Sequence, residues 1–262
     1  MDNRFIEYVS LILLFIICGS CGNGSEDNSL TIEEYIELGI PDPAKEWTMA
    51  DYSQAHNVLG KLKWERQLQL PVRDSNKSGF LFERMISRDY LSFLQDSLIS
   101  RNEKARRIVE FGVVYDYWMD IYNVPTVEKN YYASEISEIR IFNLNVSEAA
   151  FKLSNEIKQS DDPSDVALQY GISSIKRAYL ECVNKYLQPR SYVPTRDNWL
   201  EYSDDDMKKM IDSVHKSVMR NKVWLVGSEI EELRQSLNAL SDSTSSDAIR
   251  EKYEQLEREL SS

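Results

Sequence analysis

Histidine is the side chain that most often moves protons near neutral pH, and this chain of 262 residues has two, His56 and His215. His215 follows Asp212 by three residues, so both can share one helix face. An Asp-x-x-His pair supplies two metal ligands, but dimetal bundles repeat a Glu-x-x-His motif on facing helices, and the chain has no such repeat. No metal site is expected there. His56 sits beside the stripe Tyr52, Ala55, Leu59, Leu62 and reads as a residue at the edge of a core. Asp116 and Asp120 bring two carboxylates to one helix face. Glycosidases use such pairs, but acids at this spacing also line ordinary solvated faces. Asp74, Asn76 and Ser78, with Gly79 at the sixth position and Leu81 at the eighth, follow the first half of a calcium loop. The twelfth position is Met85, where a bidentate Glu belongs, and Glu83 comes two residues early. The segment therefore reads as a polar turn opening a short helix at Phe80. Neither a nucleophile elbow, nor a Walker loop, nor a Gly-x-Gly-x-x-Gly turn, nor a His-Glu-x-x-His zinc motif occurs. No catalytic, cofactor-binding or metal-ligating residue is assigned, and the chain reads as a protein that is not an enzyme.

The bulk numbers agree with a binding role. Hydrophobic residues make up 42%, enough for a sizeable core, and a mean hydropathy of -0.47 excludes a protein with many membrane spans. The net charge of -12 repels phosphate backbones and argues against nucleic acid. It suits a basic protein partner or a well-solvated surface. Nine glycines and seven prolines are too few for the turns of a sandwich or barrel, which favours helices.

The N-terminus carries the most specific signal. Residues 8–18 read YVSLILLFIIC, an apolar run too short for a spanning helix, which needs about 20 residues. The length suits the apolar region of a signal peptide. Gly19, Ser20 and Cys21 follow, then the polar run GNGSEDNS. Small residues directly before a cysteine at the end of such a run resemble the lipobox of bacterial lipoproteins, where a signal peptidase must close around an extended backbone. The resemblance covers the first two dozen residues. It implies that Cys21 becomes the first residue of the mature chain and carries the lipid. It also implies a place in the bacterial cell envelope, anchored at the periplasmic or surface face of the outer membrane. Glu26 and Asp27 resemble the acidic surface-export signals of Bacteroidota lipoproteins. Once Cys21 is lipidated, Cys182 is the one thiol left in the body, so no internal disulfide can form there. Cys182 lies on an apolar stripe and reads as a buried, inert thiol.

Helical periodicity runs through the rest of the chain. Thr31 is placed to cap a helix over IEEYIEL, ended by Pro41 and Pro43. Thr48 and Asp51 resemble a capping box. Ser87 is placed to cap a helix through Leu98. Ile108, Phe111, Tyr115, Trp118 and Tyr122 fall on one face. Residues 134–157 read as a long helix with Ile136, Ile139, Phe142 and Val146 on one side, although EIRIFNLNV alternates in part like a strand. Asp161, Asp162 and Pro163 mark a helix start, and Leu168, Ile172, Ile175, Tyr179, Cys182 and Tyr186 form its stripe. Pro189 and Pro194 bracket a loop, and Tyr192 and Trp199 in the Arg190–Trp199 stretch are the expected exposed aromatics for binding a partner. Ser203 and three aspartates open the next helix. Val226, Ile230, Leu233, Leu237 and Leu240 make one narrow seam; Ile249, Tyr253, Leu256 and Leu260 make another. Two such seams joined by SDSTSSD predict an acidic helical hairpin.

The expected architecture is all-α: an irregular multi-helix bundle with a C-terminal helical hairpin. Its expected parts are a signal peptide at 1–20, a flexible tether at 21–30, a helical domain at 31–222 and the hairpin at 223–262. The expected function is that of a lipid-anchored, exported, non-catalytic interaction module needing no cofactor. It is held to a membrane through its N-terminal lipid and binds a protein partner rather than nucleic acid. A toxin-neutralising immunity lipoprotein and an accessory subunit of an envelope complex are two versions of that role. The alternative is an envelope hydrolase that uses carboxylates in a cleft between helices.

Overall fold

The computed structural model describes residues 32–42, 45, 47–66, 90–122, 132–158, 172–193 and 198–262. Cys21, the Asp74–Gly79 stretch with Glu83 and Met85, and the Asp161–Pro163 helix start lie outside them. The fold is an all-α bundle, divided by its contacts into one unit at residues 1–71 and another at 72–262.

In the first unit, α1 (Ile32–Glu37) stops where Gly39 takes a left-handed φ of 82°, a conformation glycine adopts without strain. Pro41 then prevents the helix from resuming. Helix α2 (Met49–Arg66) begins at the expected cap. The Thr48 amide and hydroxyl donate to Asp51 Oδ2 at 2.7 and 2.6 Å, and the Asp51 amide donates back to Thr48 Oγ1 at 3.4 Å. Tyr52, Ala55 and Leu59 are buried, as their spacing predicts.

The second unit opens differently from the sequence expectation. Instead of a helix through Leu98, Ser92–Gln95 form a single 3-10 turn. Asp96 then caps locally, its Oδ1 accepting from the Leu98 amide at 2.8 Å, which competes with helical propagation. Helix α3 (Arg101–Tyr122) buries Ile108, Trp118 and Tyr122. Helix α4 (Ala133–Lys158) is helical through EIRIFNLNV, so the strand-like alternation there does not form a strand. It packs against α3, α5 (Ile172–Tyr186) and α6 (Asp204–Asn221). A helix with neighbours on several sides buries residues all round, so Leu144, Phe151, Leu153 and Ile157 are buried along with the expected Ile136, Ile139, Phe142 and Val146.

Between α5 and α6 the expected loop is in part a small antiparallel hairpin of β1 (Arg190–Val193) and β2 (Asn198–Glu201). Tyr, Val, Trp and Leu suit extended backbone, and Arg190 pairs with Glu201 across the strands at 3.1 Å. Helix α6 starts at Ser203, whose hydroxyl accepts from the Asp206 amide at 3.2 Å. It ends in a 3-10 turn at Lys222–Trp224.

The C-terminal hairpin forms as α7 (Gly227–Ser243) and α8 (Asp247–Ser261). Its seam residues Leu233, Leu237, Leu240, Ile249, Tyr253, Leu256 and Leu260 join one core with Tyr179, Val183, Val214 and Val218 of α5 and α6. Val226 is the exception. It precedes the first turn of α7 and faces solvent rather than the seam, and its amide donates to Glu229 Oε2 at 2.8 Å.

Polar contacts fix the relative directions. Helix α8 runs parallel to α6, since Ser246 meets Asp204 (2.6 Å), Lys252 meets Asp212 (2.6 Å) and Glu259 meets His215 (2.7 Å). Helix α4 also runs parallel to α6, with Ser134 on Asp206 (2.9 Å) and Glu148 on Arg220 (2.7 Å). Helix α3 runs antiparallel to α4, with Tyr122 against Tyr132 and Phe111 against Phe142. One end of the second unit therefore gathers the C-termini of α4, α6 and α8 and the N-termini of α3, α5 and α7.

Candidate functional site

The residues expected to do chemistry or bind a partner are dispersed. Cys21 lies outside the described residues. Tyr192 and Trp199 sit opposite each other in the β1–β2 register, and their side chains lie outside what is described. Asp212 and His215 do share a face of α6, but each is engaged by α8, Asp212 by Lys252 and His215 by Glu259. Among the described residues, no group of three or more His, Cys, Asp or Glu is arranged to hold a metal ion. His56 is half-buried on α2, and Asp116 and Asp120 are exposed on α3.

One cluster of charges on α4 and α6 is built around a buried carboxylate. Glu148 on α4 is almost fully enclosed, and Arg220 of α6 binds it through two hydrogen bonds of 2.8 and 2.7 Å. Lys152, one turn along, adds an ion pair at 2.8 Å. Burial alone would raise the carboxyl. The hydrogen bonds from Arg220, Lys152 and Ser217 overcome it and hold Glu148 down at about 2. Ser217 also bonds Tyr179 Oη at 2.9 Å, and burial pushes that phenol up to about 12. This constellation keeps a carboxylate ionised at all ordinary pH values, so it can neither donate nor accept a proton usefully.

A second buried cluster joins α4, α5 and Tyr202 in the segment before α6. Asn143 Nδ2 donates to Tyr186 Oη at 2.7 Å and lies 3.8 Å from Cys182 Sγ. The guanidinium of the buried Arg140 stands 5.3 Å from the Tyr186 ring and 5.2 Å from the Tyr202 ring. Burial pushes the Cys182 thiol up to about 11 and Tyr186 well above its ordinary value. An enclosed thiol with so little thiolate at neutral pH is a packing residue, not a nucleophile.

Three other carboxylates of the second unit are displaced the same way as Glu148. Hydrogen bonds from Arg106 and Arg107 hold Glu103 at about 2. Glu257 is held down by Arg234, and Glu259 by Gln255 and His215. A catalytic acid in a hydrolase cleft needs the opposite displacement.

The first unit has a cleft of about 280 Å³ lined by Pro41, Asp42, Lys45, Trp47, Asp51 and Gln54. Its polar groups hold the turn itself. Trp47 Nε1 donates to the Asp42 carbonyl at 3.0 Å, Asp51 serves Thr48, and Gln54 donates to the Gly39 carbonyl.

The surface feature that sequence reasoning missed is the turn from α6 to α7. Val223 is 76% exposed, Trp224 36% and Val226 53%, while Leu225 between them is buried as an anchor. Lys176 of α5 braces the turn, donating to the Trp224 carbonyl at 3.1 Å and pairing with Glu229 at 2.6 Å. The run KVWLVG carried a signal, since it extends past the last turn of the α6 stripe. The apolar periodicity absorbed Val226 into the α7 seam and left Trp224 unplaced. Leu98, 93% exposed, lies at the same end of the unit, just before the N-terminus of α3. No known protein family, curated protein or solved structure matches this chain.

Proposed function

We propose that this chain is a lipid-anchored interaction protein of the bacterial cell envelope whose helical body binds a partner and carries out no reaction of its own. The observation that carries the proposal is Gly19-Ser20-Cys21 at the end of the apolar run 8–18. Lipid on Cys21 would hold the body near a membrane through the polar segment 22–30. The absence of chemistry in the proposal is supported by the ionisable groups in the second unit. Glu103, Glu148, Glu257 and Glu259 are all displaced downward, and Cys182 upward. Metabolic labelling with a fatty-acid probe tests the anchor. Cys21→Ser should abolish the label, and a label that persists in that variant overturns the assignment of the lipid to Cys21.

A further inference from the structure

We propose that the Val223–Trp224–Val226 turn is a second membrane contact, which docks the end of the bundle on an anionic lipid surface. The turn presents two aliphatic side chains and a tryptophan on a short loop held from behind. Leu225 is buried, its amide donates to the Lys222 carbonyl at 3.0 Å, and Lys176 grips the Trp224 carbonyl. Such a loop offers apolar groups to a surface without having to reorganise first. Leu98 adds a fourth exposed apolar side chain at the same end. Tryptophan favours the boundary between headgroups and acyl chains, and aliphatic neighbours favour the layer just beneath.

Charge selects the occupant. Although the whole chain carries -12, the segments that meet at this end (101–110, 146–158, 172–179, 213–234 and 254–261) hold thirteen Lys and Arg against ten Glu, and residues 213–228 contain Lys216, Arg220, Lys222 and His215 and no Asp or Glu. Arg220 is neutralised by Glu148 and His215 meets Glu259. Lys216 is exposed, and Lys222 donates to the backbone carbonyl of Glu259 at 2.9 Å, a contact that leaves its positive charge in place. The opposite end of the unit exposes Asp204, Asp205, Asp242 and Asp247. An anionic bilayer therefore attracts the apolar-tipped end and repels the other. A partner protein buries a hot-spot aromatic in a pocket of complementary shape. This turn is a short loop whose exposed apolar side chains stand beside Lys222, with Glu229 tied to Lys176, a pattern that matches lipid headgroups better. The proposal rests on the lipid-anchor reading for bringing the body close to a membrane.

Hydrogen–deuterium exchange of the full chain, with vesicles of phosphatidylglycerol mixed into phosphatidylcholine or of phosphatidylcholine alone, tests it locally. The apolar run 8–18 can carry the chain to either bilayer, so the readout is the peptide spanning 222–228. Protection there is expected on the anionic vesicles. Two surface lysines shift the docked-to-undocked ratio roughly 30-fold over the neutral ones. The preference should shrink at high salt and in Lys216→Gln/Lys222→Gln. The exposed triple variant Val223→Ser/Trp224→Ser/Val226→Ser should lose the protection, with α4 and α6 exchange unchanged as the control for folding. A turn left unprotected on both vesicle types overturns the proposal and assigns the patch to a protein partner. Equal protection in the triple variant overturns it as well. Because vesicles are supplied from outside, Cys21→Ser leaves this readout intact, and failure of the anchor is seen separately in the loss of the lipid label.

Discussion

Neutralising Glu148 isolates a buried electrostatic contribution in the second unit. Glu148→Gln keeps the shape of the side chain and removes its charge. The glutamate side chain is 5% exposed, whereas Arg220 is 50% exposed and Lys152 45%, so both cations can turn to water in the variant. In the native protein the carboxyl is held at about 2 instead of its ordinary 4.5. A folded-state value below the unfolded one stabilises the fold fully above about pH 5, and that contribution is lost as pH falls through 4.5 toward 2. The displacement corresponds to about 3 kcal/mol. Solvent around the half-exposed Arg220 screens the pair and reduces the expectation to about 2 kcal/mol at pH 7. Urea denaturation of both proteins at pH 7 and at pH 3 measures it. Amide exchange in α4 and α6 serves as a local monitor, since a chain of two units need not unfold in one step. At pH 3 the unfolded Glu148 is mostly protonated, and the gap between the proteins should fall to less than half. Equal stability at pH 7, or a gap that survives at pH 3, would refute the reasoning.

Two further perturbations probe the packing. With its thiol pushed up to about 11 and enclosed, Cys182 should react with an alkylating agent at pH 8 at least about 100-fold more slowly in the native chain than in denaturant. Peptide mass spectrometry, which separates it from Cys18 and Cys21, reads this directly, and rapid native labelling would contradict the burial. Leu256→Ala removes a fully buried side chain from the core shared by α5, α6, α7 and α8 and should cost about 3 kcal/mol. Amide protection should then fall in α6 as well as in α7 and α8. A loss confined to α7 and α8 would show that the hairpin is an independent arm.

Much of the fold was legible because periodicity and caps are local. The Thr48–Asp51 box, the Ser203 cap and the seams at 233–240 and 249–260 appear where residue types at fixed spacing require them. Local rules failed where two local structures compete. The Asp96 side chain draws the chain into a turn after the 3-10 segment, where a capped helix was expected. Residues 190–193 and 198–201 pair as two strands, with Arg190 set opposite Glu201, a pairing between segments that neither one alone reveals. The candidate surface was less legible still. Trp224 and Val226 are residue types that also occur in cores, and only the position of Leu225 and Lys176 shows which side chains of that turn face water.

The sequence by itself determined the all-α class and most of the helix stripes, since each depends on neighbours within a few residues. It also determined that Cys182 has no disulfide partner in the body beyond Cys21. The tertiary structure decided which charges cancel. Asp212 meets Lys252 at a separation of 40 residues, and Glu148 meets Arg220 at 72. Pairings at such distances depend on helix direction and packing, and no local pattern encodes them. The same packing turned the C-terminal seams inward against α5 and α6 and left Val223, Trp224 and Val226 facing solvent around the buried Leu225.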